Sequence, residues 1–181
     1  MLRINIELSP EGWNEETEEF VEAESLTIDL EHSLVSLSEW ESKWCKAFFS
    51  KQEKTVEETI DYIRCMTLTE NVDPLVYARV TNEHIKKVND YISAPMTATK
   101  IYEDKTSKSN SETVTSELIY YWMIALNIPF ECRHWHLNRL LTLIKVCNIK
   151  NQPPKKMSKK ATAAQYAELN AARRKQLNTK G

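Results

Sequence analysis

The feature that most constrains the fold is a dense apolar block, ELIYYWMIAL at residues 117–126, followed by a second one, WHLNRLLTLI at residues 135–144. Each is long enough for a helix of about three turns, and Pro129 between them marks a corner. No other part of the chain is as rich in large side chains, so we expect these two helices to anchor the core. The side chains that we assign to that core are Trp122, Leu137, Leu140, Leu141 and Ile144.

The N-terminal region has the pattern of a β-hairpin. Apolar and polar residues alternate over residues 2–8 and again over residues 26–30, which is the period of a half-buried strand. The acidic segment 15–24 between them either extends the hairpin arm or forms a solvated loop. A two-stranded element is marginally stable alone, so we expect residues 1–32 to pack on helices or on another subunit.

Beyond the hairpin, apolar residues recur with the period of helices. Thr55 followed by Glu58 is a capping-box pattern, which predicts the start of a helix. Asp73 before a proline and Thr81 before another apolar stripe predict two further helix starts. Because the connections are short, the sequence predicts a compact helical bundle over residues 33–149.

Two polar segments interrupt or follow this bundle. Residues 103–112 contain no apolar side chain and predict an exposed loop, whereas residues 150–181 are rich in Ala, Lys, Arg and Gln and predict a basic flexible or helical tail. The fold class that we predict is therefore α+β and mainly α, with an N-terminal β-hairpin packed on a helical bundle and a basic C-terminal helix or tail.

Charge is distributed very unevenly along the chain. Residues 1–31 hold ten acidic side chains against Arg3 alone, a net charge of −9, and residues 150–181 hold nine Lys and Arg against Glu168, a net charge of +8. The formal total of −2 conceals this polarity. The two ends can pair between copies of the chain, or the tail can dock on another acidic protein.

Several functional classes are disfavoured by composition. Gly12 and Gly181 are the only glycines, so neither a dinucleotide-binding GxGxxG loop nor a P-loop can be drawn. The four cysteines are widely spaced and the first residues do not resemble a secretory leader, so we expect reduced thiols in a cytoplasmic compartment. No apolar run reaches the roughly 18 residues of a membrane span, and we expect no membrane partner.

Cys132, His134 and His136 form the one cluster with metal-like or nucleophilic chemistry. On a single helix, Cys132 and His136 stand four residues apart and can share an ion. The alternative is that Cys132 packs as a small apolar side chain while the histidines occupy a solvated helix start. Because no further ligand or base is indicated, we assign no metal, no cofactor and no catalytic residue, and we do not expect an enzyme.

Aromatic side chains and arginines are the residues most often found at the energetic centre of protein interfaces. The same aromatic spacing is also common in cores, so each of these positions has two interpretations. The candidate partner-binding residues are Trp40, Trp44, Tyr120, Tyr121, Trp135, Arg173 and Arg174.

The basic tail also has the charge to bind nucleic acid, with an affinity that would fall steeply as salt rises. The rest of the chain carries −10 and would repel phosphates, so this function is the alternative and not the first choice. Its candidate residues are Lys155, Lys156, Lys159, Lys160, Arg173, Arg174 and Lys175.

Several segments resemble a family of small tailed-bacteriophage proteins, and the likeness covers most of the chain from about residue 26 onward. They are WESKW at 40–44, TVEETIDYIRCMT at 55–67, ELIYYWMI at 117–124, IPFEC at 128–132, WHLNRLLTLI at 135–144, PPKKMS at 153–158 and LNAARR at 169–174. Family members look like tail assembly chaperones. The resemblance implies a non-enzymatic helper in the host cytoplasm that binds tape-measure or tail-tube proteins during virion assembly, and it supplies no catalytic residue.

Overall fold

The computed structural model describes residues 1–9, 12–14, 19–101, 113–151 and 159–177, and the predicted loop at 103–112 lies outside them. Within the described residues the fold is mainly α, as the sequence predicts. The strands are β1 (Leu2–Ser9), β2 (Gly12–Asn14), β3 (Glu19–Val21) and β4 (Glu24–Leu30). The helices are α1 (Leu34–Trp44), α2 (Val56–Met66), α3 (Pro74–Tyr77), α4 (Asn82–Ser93), α5 (Ser116–Ala125), α6 (Leu137–Asn151) and α7 (Lys159–Leu177), with a 3₁₀ helix at Phe130–His134.

The predicted N-terminal hairpin is confirmed. Strands β1 and β4 pair antiparallel, and β2 and β3 pair as a second short ribbon, so the described part of the acidic segment, residues 19–24, extends the arm. On one face Ile4 lies opposite Ile28, and both are buried. On the other face the Arg3 guanidinium and the Asp29 carboxylate lie 2.8 Å apart across the strands. The alternation of the sequence therefore sets which face meets the helices.

The predicted helix starts also form as their capping residues dictate. The Thr55 hydroxyl accepts a hydrogen bond from the amide of Glu58, and the Glu58 carboxylate accepts one from the amide of Thr55. Asp73 caps α3 by accepting from the amide of Leu75 at 2.8 Å, and Thr81 caps α4. Each cap satisfies an amide that has no partner within its helix.

The core joins the hairpin to the helices. The predicted core residues Leu137, Leu140 and Ile144 are buried, while Trp122 and Leu141 are partly buried and pack against the core. The chain divides into two compact units, Met1–Ile149 and Lys150–Gly181. Within the part of the chain that is described, no helix combines the length and the apolar character needed to cross a membrane. The largest fully buried side chains are Trp40, Ile6, Ile28, Leu30, Leu34, Leu37, Ile63, Met66, Ile119, Met123, Leu137 and Leu140.

Two histidines far apart in the sequence meet inside this core. The rings of His32 and His136 lie edge to face with centroids 5.2 Å apart. His32 Nδ1 is hydrogen-bonded to the Tyr62 hydroxyl at 2.6 Å. His136 Nε2 lies 3.1 Å from the carbonyl oxygen of Tyr91, and its Nδ1 accepts from the amide of Asn138. Burial lowers the pKa of each ring, which favours the neutral form of both. In addition, Nδ1 of His136 accepts a hydrogen bond from a backbone amide and so carries no proton.

Candidate protein-binding site

Helix α5 is apolar on nearly every side, yet it buries only one narrow face. Ile119 and Met123 are fully buried and hold the helix to the core. Tyr121 and Ile124 point away from them and are 63% and 61% exposed. A helix that is apolar all round is normally enclosed, so the outward side of α5 is the kind of surface that another molecule covers.

The exposed side chains of α5 join those of the following 3₁₀ helix. The rings of Tyr120 and Phe130 are stacked, with centroids 6.2 Å apart and an angle of 20° between their planes. Phe130 is 48% exposed. Tyr120 lies one turn from Ile124, and Ile124 lies one turn from Tyr121, so the four side chains form one continuous surface. We call Tyr120, Tyr121, Ile124 and Phe130 the aromatic face.

Charges surround the aromatic face. Glu117 is exposed and lies one turn before Tyr121 on the same side of α5, and Glu131 is exposed beside Phe130. The pKa of Tyr120 is raised mainly by burial; Arg133 acts to lower it and Glu39 to raise it. The carboxylates of Glu117 and Glu131 therefore adjoin the face, and Glu39 and the guanidinium of Arg133 are near enough to act on Tyr120. The surroundings favour a partner that is apolar with a basic edge.

A buried carboxylate from α1 fixes the start of α5. Thr115 precedes the helix but makes no side-chain cap bond. Instead Glu41 accepts from the amide of Ser116 at 2.7 Å with one oxygen and from the amide of Phe48 at 2.7 Å with the other. Glu41 is only 7% exposed, so these bonds are shielded from water. The carboxylate also complements the positive end of the helix dipole, and α5 is held rigidly.

A second apolar surface lies at Trp44, one of the predicted partner-binding residues. Trp44 is half-buried, and its indole N–H donates to Asp61 at 2.8 Å. Asp61 also accepts from Lys43 at 2.6 Å and from Arg64 at 2.9 Å. Burial acts to raise the pKa of Asp61, but its three hydrogen bonds together lower the pKa below its usual value. The Trp44 ring lines an open groove of about 580 Å³ between α1, α2 and α3, next to the 70% exposed Val56.

The other predicted aromatic residues have different positions. Trp40 was a candidate for partner binding, but it is 1% exposed, and its indole N–H donates to the carbonyl oxygen of Glu58 at 2.8 Å. It belongs to the core, because α1 turns this side towards α2. Trp135 is half-buried, and the Arg139 guanidinium lies 4.0 Å from its ring centroid as a cation–π pair.

The interpretation of Cys132 and His136 as neighbours on one helix is wrong. Cys132 lies in the 3₁₀ helix, whereas His136 precedes α6 and forms a β-bridge with Ser33. Cys132 is buried as a small apolar side chain, and burial raises the pKa of its thiol, which disfavours the thiolate that a nucleophile or ligand needs. His134 is exposed, but His136 is buried and not at a solvated helix start. Among the described residues, no group of three His, Cys, Asp or Glu side chains is placed to hold a metal ion.

The basic residues of the tail fall partly within the described chain. Arg173 and Arg174 are exposed on α7. Lys159, Lys160 and Lys175 lie within the bounds of α7, whereas Lys155 and Lys156 are outside the described residues. Arg173 and Arg174 therefore belong to a regular helix, and residues three or four positions away from each arginine lie on the same side of that helix.

Sequence reasoning missed two members of the aromatic face. Ile124 and Phe130 were not candidates, because an isoleucine in an apolar block and a phenylalanine after a proline both have the pattern of core residues. A helical wheel of α5 contains the signal: Glu117 shares a side with Tyr121 and Ile124, and a charged residue predicts that this side meets water.

No family model, curated protein or solved structure matches this chain. The functional argument therefore depends on the aromatic face and its surroundings.

Proposed function

We propose that this chain is a non-enzymatic binding protein that shields an apolar helical segment of a phage tail protein, either the tape-measure or the tail-tube protein, during assembly. The observation that carries the proposal is the outward side of α5, where Tyr121 and Ile124 are 63% and 61% exposed on a helix that the core holds firmly. The choice of client comes from the resemblance to phage tail assembly chaperones.

The shape of the aromatic face favours a helix as the bound segment. Glu117, Tyr121 and Ile124 follow one another at four and then three residues, which makes a straight ridge along α5. A second amphipathic helix can lay its own apolar ridge beside this one, with side chains interlocking at the contact. Tyrosine adds a large contact area and a hydroxyl at low entropic cost, as is usual at the centre of interfaces.

Covering this face would also explain how a helper prevents premature association. An apolar stripe on an unassembled tail protein aggregates when it is left in water, and a reversible helix–helix contact removes that stripe until the proper neighbour arrives. The chemistry required is burial and release, for which the aromatic face provides the contact area. Affinity in such a contact is concentrated in a few large side chains, so Tyr121 and Ile124 are the residues to test.

The test is co-expression of the full-length chain with the tape-measure and tail-tube proteins, followed by pull-down and titration of the retained partner. The variant Tyr121→Ser/Ile124→Ser should bind at least about tenfold more weakly. Ile149→Ser is the matched control, because Ile149 is 51% exposed on α6 and loses a comparable side chain. Retention of neither protein, or equal binding by the double variant and the control, would refute the proposal.

Titration with duplex DNA at low and high salt tests the alternative function. A client-binding protein should show no DNA binding that depends on Arg173 and Arg174 at physiological salt. A steep loss of DNA affinity with salt, abolished by Arg173→Glu/Arg174→Glu, would instead assign the tail to nucleic acid.

A further inference from the structure

Helix α7 carries an exposed stripe that, like the outward side of α5, combines two large side chains with one charged residue, here of the opposite sign. Every described side chain of α7 is exposed, including Tyr166 at 63% and Leu169 at 49%. Tyr166, Leu169 and Arg173 follow one another at three and then four residues, so they lie along one side of the helix. The stripe therefore consists of two apolar side chains followed by a guanidinium.

The two stripes match when one of them is read backwards. Along α5 the order is Glu117, Tyr121, Ile124, with gaps of four and three residues. Along α7 from its C-terminal end the order is Arg173, Leu169, Tyr166, again with gaps of four and three residues. At the helical rise, both sets are separated by about 6 Å and then about 4.5 Å. An antiparallel alignment thus places an acid beside a base and apolar residues beside apolar residues.

We propose that α7 of one copy lies antiparallel along the aromatic face of a second copy, in a reciprocal dimer. In this register Arg173 pairs with Glu117, Leu169 packs against Tyr121, and Tyr166 packs against Ile124. Reciprocal exchange closes a two-fold dimer in which the contact forms twice, so that neither α7 nor the aromatic face remains uncovered.

Charge outside the stripe supports a second copy as the occupant. Residues 150–181 carry +8 and the remaining residues −10, so the tail of one copy is attracted to the body of another. The attraction is local as well, because the exposed Glu131 lies beside Phe130 in addition to Glu117 beside Tyr121. A parallel alignment would place Arg173 beside Ile124 and leave Glu117 beside Tyr166, so charge selects the antiparallel direction.

This inference rests on the proposed function only in that it uses the same face. If the proposed function and the dimer both hold, a client helix and the second copy's α7 compete for the same face. The dimer is then the form of the protein in the absence of client. The two ideas fail separately: dimerisation is measured on the purified chain alone, whereas client binding is measured with the tail proteins. A monomer that still binds a client would overturn the dimer and leave the proposed function standing.

The test is the dimer dissociation constant of the full-length chain, measured by sedimentation or light scattering at about 50 mM and about 500 mM salt. The wild type should dimerise, and more weakly at high salt. Arg173→Glu and Glu117→Arg should each weaken the dimer about tenfold or more, and the double variant Glu117→Arg/Arg173→Glu should recover most of that loss.

Arg174→Glu is the matched control, since it makes the same change of net charge about 100° around the helix from Arg173 and should weaken the dimer much less than Arg173→Glu. Leu169→Glu is a second test variant, and it leaves α5 and the core unchanged because Leu169 is exposed on α7. It should also abolish the dimer. The proposal would be overturned if the chain were a monomer at every concentration or formed assemblies larger than a dimer. It would also be overturned if Arg173→Glu left the dimer unaffected, or if the charge-swapped double variant showed no recovery.

Discussion

The buried histidine pair predicts that this protein loses stability on mild acidification. His32 is 1% exposed, and burial followed by the neighbouring His136 lowers its pKa from 6.5 to about 3. Burial also lowers the pKa of His136, although the carbonyl oxygen of Tyr91 and, to a smaller degree, Glu31 act to raise it. A proton on His32 places a charge in a pocket formed by Phe48, Tyr62 and His136, where the structure offers little to compensate it.

The size of the effect follows from linkage. The unfolded chain binds a proton at His32 below about pH 6.5 and the folded chain does not until about pH 3, so the folded state is disfavoured as the pH falls between these values. The stability that depends on a neutral His32 is fully present only well above pH 6.5. At pH 5 the contribution of His32 alone is a loss of about 2 kcal/mol in the free energy of unfolding, and His136 acts in the same direction.

Urea unfolding at about pH 7.5 and about pH 5 measures this loss. In His32→Gln, which keeps a polar group for Tyr62 but does not titrate, the difference between the two pH values should shrink by about 2 kcal/mol relative to the wild type. His134→Gln removes an exposed histidine and should keep the wild-type difference. An unchanged pH dependence in His32→Gln would refute the assignment of a buried, neutral His32.

Two further predictions concern the supports of the helices, each measured as the free energy of unfolding by urea at neutral pH. Glu41→Gln removes the charge of a carboxylate that accepts hydrogen bonds from two buried amides, and it should lower the free energy of unfolding by about 2 kcal/mol. The control Glu39→Gln changes an exposed carboxylate and should have little effect. Equal effects of the two variants would contradict the role of Glu41. Thr55→Ala removes the α2 cap and should cost about 1 kcal/mol, and a neutral result would show that the capping box contributes nothing.

Local chemistry explains why much of the fold is predictable from this sequence. The starts of α2, α3 and α4 depend on Thr55, Asp73 and Thr81, each of which bonds to an amide two or three residues further on. Because donor and acceptor are close in the sequence, the pattern alone identifies them. The hairpin is predictable for a similar reason: alternation fixes which side of each strand is buried, whatever covers it.

The candidate site depends on contacts between distant residues, so the sequence pattern does not predict which of its side chains are exposed. Trp40 and Tyr121 are both large aromatic residues on helices, yet α2 covers the first and nothing within the described residues covers the second to the same degree. Periodicity identifies an apolar side of a helix but not which neighbour packs on it. The meeting of His32 with His136 is equally non-local, because it requires the bridge between Ser33 and His136.

The bond from Glu41 to the amide of Ser116 has a consequence for the order of folding. The two residues are 75 positions apart, and Thr115 provides no local substitute for the carboxylate. We expect the first turn of α5 to be completed only after α1 has packed, because an isolated ten-residue helix is unstable in water and its capping carboxylate lies on α1. A copy that has not finished folding therefore lacks an ordered α5, and under the proposed function only folded copies would bind the client helix.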